Sequence, residues 1–128
     1  MKEKWRPLYN GRYCFRDDCG NVTVDKWYDC FADFWRYENI PLFKTKLECA
    51  KYCNFEDELK NKSYKFSKED WENKNINKYC IQYHIDNNIF SITKIEAIEF
   101  AGTIYFRTIE DAQYIINKFK KELIEWLL

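Results

Sequence analysis

Apolar and polar residues alternate in two separate stretches of the chain. The first stretch covers Tyr13 to Arg16 and Asn21 to Val24, joined by the turn residues DDCG, and this pattern predicts a β-hairpin. The second stretch contains the segments KYCIQYHI, NIFSITKI, AIEF and TIYF within residues 78–106, with the turn sequences DNN and AG between them. We therefore predict β-sheet in both halves of the chain.

Two segments carry the signature of a helix start: FKTKLECAKY (43–52) and FRTIEDAQYI (106–115). In each, a Thr is followed three residues later by an acid, which is the spacing of a capping box: Thr45 with Glu48, and Thr108 with Asp111. The first helix is predicted from about Lys46 into the sequence FEDEL. The second is predicted as one helix with an apolar stripe formed by Ile109, Ala112, Ile116, Phe119, Leu123 and Trp126. Helices packed on a mainly antiparallel sheet define an α+β fold.

The two halves also repeat a longer pattern. Trp5 precedes Tyr13 by the same spacing as Trp71 precedes Tyr79, and the two copies are 66 positions apart in both cases (5 to 71 and 13 to 79). Together with the repeated helix starts, this indicates a duplicated strand-plus-helix unit.

The repeat predicts three segments. The first unit, of the type ββ(β)α, is predicted over residues 1–59. A lysine-rich connector follows over residues 60–75, and a second unit, of the type βββα, covers residues 76–128.

Aromatic residues are concentrated in DKWYDCFADFWRYEN, residues 25–39. A helix here would align Asp25, Asp29 and Asp33 on one face, where their like charges would repel one another. Irregular or partly extended structure is therefore predicted. Some rings must cover the first sheet, but six rings within eleven residues cannot all point inward. Exposed rings surrounded by charges are typical of a protein interface. The predicted partner-binding residues, with Trp35 as the preferred anchor, are Trp27, Tyr28, Asp29, Phe31, Asp33, Trp35 and Arg36.

The predicted connector interleaves lysines with rings. Lysines can neutralise phosphates while rings stack on bases, so a nucleic-acid contact is an alternative function for this segment. An ordinary solvated linker is the favoured interpretation, because the run is short and acidic residues follow at once. The candidate contact residues are Lys60, Lys62, Tyr64, Lys65, Phe66 and Lys68.

The charge balance and the cysteine content argue against several classes of function and of structural site. The chain has 21 basic and 21 acidic residues, so it carries no net field to attract nucleic acid or an anionic membrane over distance. No segment has the apolar length of a signal peptide or a membrane span, and we expect the protein to remain in the cytoplasm, away from membranes. The six cysteines include no C-x-x-C pair and the chain has one histidine, so buried free thiols are predicted rather than disulfides or a zinc site.

The sequence offers no convergent catalytic set, and we predict neither an enzyme nor a cofactor. His84 lies in a predicted strand with no Ser or Cys partner signalled nearby, which favours a structural role. Asp25, Asp29 and Asp33 could bind a divalent cation, but they lack the glycine and spacing of a calcium loop. A solvated acidic face partly paired with Arg36 is the preferred interpretation, so no metal is predicted.

Short motifs spread over most of the chain form a further pattern. Its residues are Trp5, Pro7, Tyr13, Trp27, Asp29, Asp33, Arg36, Tyr37, Phe43, Lys44, Thr45, Glu48, Ile104, Tyr105, Phe106, Thr108, Asp111 and Ala112. This pattern resembles that of a loosely related family of small accessory proteins from phages and prophages of low-GC Gram-positive bacteria. The chain departs from the family pattern in ENIPLF, where a Gly-Asn usually precedes the Phe, and at Cys49, which replaces a small Ala.

The resemblance implies a phage origin, a host-cytoplasmic setting and no catalytic residues. Small phage accessory genes of this kind commonly encode inhibitors of host machinery, anti-CRISPR proteins among them. We therefore expect a non-enzymatic inhibitor that binds a host protein, with a CRISPR-Cas effector or another antiviral factor as the favoured partner. The alternatives are a nucleic-acid-binding accessory protein that uses the connector, or a phage structural or assembly protein. The oligomeric state stays open at this point.

Overall fold

The computed structural model describes residues 4–96, 99–100 and 102–128. Helices combined with antiparallel sheet confirm the predicted α+β class. Within the predicted strand AIEF, Ala97 and Ile98 lie outside the described residues, as does Ala101 of the AG turn. The elements are β1 Arg12–Arg16, β2 Val22–Lys26, α1 Phe31–Asn39, α2 Lys46–Lys62, α3 Lys68–Glu72, β3 Lys78–His84, β4 Ile89–Ile95, β5 Tyr105–Phe106, α4 Ile109–Lys118 and α5 Lys120–Leu127.

The chain forms two compact units, residues 1–54 and residues 55–128, called unit 1 and unit 2 below. The division falls within α2, which continues without a break to Lys62. The predicted boundary after residue 59 therefore lies inside a helix, several residues beyond the division that the structure has.

The predicted connector, residues 60–75, is not a linker. Ser67 and Asp70 form a complete capping box that starts α3: the Ser67 Oγ accepts from the Asp70 N–H at 3.1 Å, and the Asp70 carboxylate accepts from the Ser67 N–H at 3.0 Å. Phe66 and Trp71 are both buried in the core of unit 2. Two buried rings and a capped helix make this segment part of the folded unit.

Unit 1 is built on the hairpin of β1 and β2, in which Arg12 lies opposite Lys26. Side chains of β1 are buried on both faces of this hairpin. Tyr13 packs with Trp27 on one face, whereas Cys14 packs with Cys49 of α2 on the other. A two-stranded sheet gains its stability in water from such packing.

Unit 2 is built on a three-stranded antiparallel sheet with the order β4-β3-β5, and α4 packs on all three strands. A buried cluster joins Phe66, Trp71, Cys80 and Tyr105. Next to it, the side chain of Lys78 is fully buried. Its Nζ donates to the carbonyls of Asn73 and Ile76 at 3.2 and 3.0 Å and lies 5.2 Å from the centre of the Trp71 ring. Backbone oxygens and an aromatic face thus stabilise the buried ammonium.

The two units share a local arrangement around the first strand of each hairpin. In unit 1, Cys14 of β1 exchanges backbone hydrogen bonds with Phe43, outside the hairpin. In unit 2, Phe106 of β5 lies opposite Tyr79 of β3, one position before the Cys80 that corresponds to Cys14 in the repeat. In each unit a Thr stands two residues after this phenylalanine. Its hydroxyl accepts a hydrogen bond from a backbone N–H in the first turn of the following helix.

The final apolar stripe belongs to two helices rather than one. The backbone at Phe119 leaves helical geometry (φ −130°, ψ 40°) and separates α4 from α5. The Phe119 ring is buried 5.4 Å from the ring of Phe55, whereas Ile109 and Trp126 at the ends of the predicted stripe are exposed. A periodic pattern does not report such a break, because the apolar spacing is retained on both sides of it.

Candidate partner-binding surface

Helix α1 occupies residues 31–39, where irregular or extended structure was expected, and that prediction was wrong. Repulsion between the aspartates does not oppose this helix, because Asp25 and Asp29 precede it. Only Asp33 lies within α1, in its first turn, where a carboxylate is stabilised by the helix dipole. The helix ends at Asn39, and Ile40 is extended ahead of Pro41, as expected for a residue before proline.

The buried carboxylate of Asp33 fixes the position of α1, and only 1% of the residue is exposed. It accepts a hydrogen bond from the Tyr13 hydroxyl at 2.5 Å, from the Tyr28 N–H at 2.8 Å and from the Cys30 thiol at 3.1 Å. Burial raises the pKa of Asp33, but these hydrogen bonds outweigh it and hold the pKa below the ordinary value. Burial and the bond to Asp33 also raise the pKa of Tyr13 to about 12.

Arg36 completes this network from the next turn of α1. Its guanidinium donates to the Tyr13 hydroxyl at 2.9 Å and to the Asp25 carboxylate at 2.8 Å, and it lies 3.9 Å from Asp33. The guanidinium also stacks 4.4 Å from the centre of the Phe15 ring. Arg36 therefore ties α1 to both strands of the hairpin.

The solvated acidic face partly paired with Arg36 that the sequence suggested forms only in part, because Asp25 and Asp29 are accessible to solvent whereas Asp33 is buried. Asp33 is buried, Asp25 pairs with Arg36, and Asp29 accepts from the Trp27 indole N–H at 2.6 Å. Within the described ranges, no cluster of three or more His, Cys, Asp or Glu side chains is placed to hold a metal ion.

Two of the predicted partner contacts lie in the core instead. Trp27 is 1% exposed and packs edge-to-face on Phe34 at 5.1 Å and on Tyr13 at 5.9 Å. With Asp33 also buried, neither Trp27 nor Asp33 can reach a partner from this conformation. The sequence carried no usable signal for Trp27, because strand alternation places it with the polar residues Thr23 and Asp25 rather than with the valines of β2.

The other rings of the predicted site are exposed. Phe31 is 84% exposed and Trp35, one helical turn later, is 49% exposed. Tyr28 and Asp29 are also exposed, and Tyr28 packs edge-to-face on the exposed ring of Tyr9 at 6.0 Å. Tyr9 was not predicted, because it lies in an irregular segment that precedes β1.

Phe31 and Trp35 border a groove of about 570 Å³ in unit 1. The stacked pair Phe15 and Arg36 contributes to its lining. The hairpin supplies the opposite wall, which includes Asp17. The Asp17 carboxylate accepts hydrogen bonds from the backbone N–H groups of Asn21 and Cys19 and from the Thr23 hydroxyl of β2, and these lower its pKa against the opposing effect of desolvation. The groove is therefore lined by residues that are already held in place.

The candidate nucleic-acid residues do not form one basic surface. Lys60, Lys65 and Lys68 are exposed. Lys62 lies 3.9 Å from the carboxylate of Asp111, so its charge is partly compensated. Phe66 is buried and cannot stack on a base, which contradicts its predicted role. Tyr64 is 41% exposed, and the Arg107 guanidinium lies 4.7 Å from the centre of its ring.

His84 has a serine partner that the sequence did not signal. Its Nε2 lies 2.9 Å from Ser91 Oγ across β3 and β4, and both side chains are on the sheet surface. Among the hydrogen bonds of the described residues, none supplies a third group that orients the His84 ring. A surface cross-strand pair is a structural role for this histidine.

All six cysteines lie within the described residues, and each is a thiol rather than half of a disulfide. Cys14, Cys49, Cys53 and Cys80 are buried as expected, whereas Cys19 and Cys30 are exposed.

Comparison with protein-family profiles, curated proteins and solved structures finds no match to this chain. Among the described residues, no helix combines the length and apolar character needed to cross a bilayer.

Proposed function

We propose that this chain is a phage-encoded, non-enzymatic inhibitor that acts in the host cytoplasm by binding a host protein through α1. The favoured partner is a CRISPR-Cas effector, and another antiviral factor is the next choice. The observation that carries the proposal is the exposure of Phe31 and Trp35 on a helix that is held in place from beneath.

The support is energetic. Leaving an 84% exposed phenylalanine and a half-exposed tryptophan in water forgoes the burial free energy of two large rings. The Asp33–Tyr13–Arg36 network orders α1 before any partner arrives. A pre-ordered helix loses little conformational entropy on binding, which increases affinity. Tryptophan and arginine are the residue types most often found at the centre of an interface.

The test is inhibition of target-DNA cleavage by purified, guide-loaded CRISPR effectors from low-GC Gram-positive bacteria, titrated with this protein. We expect at least one effector to be inhibited and to bind the protein directly. The double variant Phe31→Ala/Trp35→Ala should weaken that binding by at least about thirtyfold, since a central tryptophan contributes about 2 kcal/mol or more.

The matched control is Leu47→Ala, which removes an exposed apolar side chain from α2 of the same unit. It should leave both binding and inhibition unchanged. Inhibition that the double variant retains in full would remove α1 from the mechanism. If no effector is inhibited, capture from host lysate with the wild type and the double variant in parallel tests the wider class of antiviral partners.

A nucleic-acid role is the second candidate, favoured by the exposed ring of Tyr64 beside Arg107 and by the neighbouring exposed lysines. It predicts binding of single-stranded nucleic acid that weakens steeply with salt. The variant Tyr64→Ala should reduce that binding, whereas Phe31→Ala should not. Binding that is absent even at low salt rules this candidate out.

A further inference from the structure

Among the described residues, strand β4 forms one edge of the sheet in unit 2. It pairs with β3 over seven consecutive positions, from Ile89 opposite His84 to Ile95 opposite Lys78. In the described part of the chain, the backbone groups of residues 89–95 that point away from β3 have no hydrogen-bond partner. A row of unpaired N–H and C=O groups is a template for another strand.

The features that usually block such pairing are scarce in β4. Natural edge strands are often very short, contain proline or a bulge, or carry several charges. The seven residues of β4 include no proline or glycine, its pairing with β3 is continuous, and Lys94 is its one charged residue. Ile89 at the start of the strand is 54% exposed.

Five of the seven positions of β4 match in chemistry about its central residue, and Phe90 and Lys94 are the pair that does not. In IFSITKI, Ile92 stands at the centre, hydroxyl residues flank it, and an isoleucine stands at each end. A two-fold axis at Ile92 would pair Ser91 with Thr93, and Ile89 with Ile95, between two antiparallel strands. Lys94 would face Phe90 rather than another lysine, so no like charges would meet.

We propose that β4 is a homodimerisation edge on which β4 of a second copy pairs antiparallel about a two-fold axis at Ile92. This register pairs all seven residues of each strand, and the contact is self-complementary as a two-fold interface must be. Apolar and hydroxyl pairs of this kind stabilise adjacent strands. A second copy suits this edge because the two-fold register brings together like residues at five of the seven positions and faces Lys94 with an apolar ring.

Sedimentation equilibrium over a dilution series tests the proposal, and the apparent mass should rise toward twice the monomer mass with concentration. The double variant Ser91→Lys/Thr93→Lys would place like charges opposite each other on both sides of the axis. It should raise the dimer dissociation constant by at least about tenfold. The charge-complementary variant Ser91→Lys/Thr93→Glu should bring it back to within about threefold of wild type.

Hydrogen exchange supplies a second readout that is local to the strand. The outward amides of residues 89–95 should gain protection as the concentration rises, in the wild type and not in the double-lysine variant. Circular dichroism and the thermal midpoint at low concentration check that both double variants fold.

Three results would overturn the proposal: a monomer at every concentration, a dimer equally stable in both double variants, or a dimer without added protection in β4. A monomer whose β4 becomes protected by a strand from a host protein would likewise assign this edge to a different partner. The edge lies in unit 2 and α1 lies in unit 1, so inhibition through α1 is tested separately.

Discussion

Asp33 and Trp27 show how far the role of a residue depends on its surroundings. Both belong to a segment dense in rings and charges, and composition alone indicates an interface for all of them. The structure separates them by burial, since Trp27 and Asp33 are inside and Phe31 and Trp35 are outside. Sequence patterns could predict that some rings are exposed, but not which ones, because that depends on where the helix starts.

The two tryptophans give the clearest test at the residue scale. Trp27→Ala should lower the free energy of unfolding by about 3–5 kcal/mol, because it removes a buried ring. Trp35→Ala should leave the thermal midpoint nearly unchanged and weaken partner binding. Denaturant melts and partner affinity, measured on both variants, check this pair of outcomes. Equal destabilisation by both substitutions would place Trp35 in the core and contradict the proposed surface.

Tyr13→Phe tests the network beneath α1. It removes the hydroxyl that donates to Asp33, and losing a hydrogen bond to a charged group costs about 1.5–3 kcal/mol. The matched control is Tyr83→Phe, whose hydroxyl donates to the Asn88 side chain at the surface, and this change should have little effect. Urea denaturation of both variants at neutral pH provides the comparison.

The same variant has a predicted pH dependence. The depressed pKa of Asp33 contributes stability that is fully present above its ordinary value of 3.8 and is lost as the pH falls through the lower, folded-state value. Removing the Tyr13 hydroxyl should raise the pKa of Asp33 and reduce that contribution. The stability gap between wild type and Tyr13→Phe should therefore be largest at neutral pH and narrow below about pH 4. A gap that is constant with pH would show that the hydroxyl acts by packing alone.

At the scale of elements, the strands and the two Thr-initiated helices follow from local patterns. The predicted strand over 13–16 is β1 within one residue, and the helix predicted from Lys46 is α2. Helix α3 was missed although Ser67 and Asp70 carry a local capping-box signal. Two other features were missed because a tertiary contact decides the outcome. Helix α1 depends on burying Asp33, and the break at Phe119 depends on burying a ring beside Phe55. Neither contact is visible in hydrophobic periodicity.

Helix caps provide the element-scale prediction. The Thr45 hydroxyl accepts from the Glu48 N–H at 3.2 Å, and the Thr108 hydroxyl accepts from the Asp111 N–H at 3.1 Å. Thr45→Ala and Thr108→Ala should each lower the free energy of unfolding by about 1 kcal/mol through loss of the cap.

Ser67→Ala should lower the free energy of unfolding by at least as much as either threonine substitution. The Ser67 capping box starts α3, the helix that carries the buried Trp71. Ser63→Ala is its control, since the Ser63 hydroxyl donates to a carbonyl at the end of α2 and starts no helix. Chemical denaturation of all four variants ranks these effects. If Ser63→Ala costs as much as Ser67→Ala, the cap is not the cause.

At the scale of the whole molecule, burial divides the thiols into two classes. Cys19 and Cys30 are exposed, and the other four cysteines are buried. Burial raises the pKa of Cys14 and of Cys80, which further reduces the fraction of reactive thiolate.

A thiol-reactive disulfide reagent should therefore modify Cys19 and Cys30 rapidly in the native protein and all six cysteines after unfolding. Intact-mass spectrometry followed by peptide mapping identifies the modified sites. Rapid native labelling of Cys14 or Cys80 would contradict the burial assigned to them, and Cys19→Ser/Cys30→Ser should abolish the fast phase.

The division of the chain inside α2 has a consequence for synthesis on the ribosome. The helix supplies Cys49 and Cys53 to the core of unit 1, whereas Phe55 and Leu59 from its later turns are buried in unit 2. Chains fold from the N-terminus as they emerge, so unit 1 can close while residues 63–128 are still being translated. During that interval Phe55 has no Phe119 to pack against, and the nascent helix presents an apolar flank to ribosome-associated chaperones. A pause in translation shortly after α2 would prolong that exposure, and codon choice downstream of residue 62 would then influence the yield of folded protein.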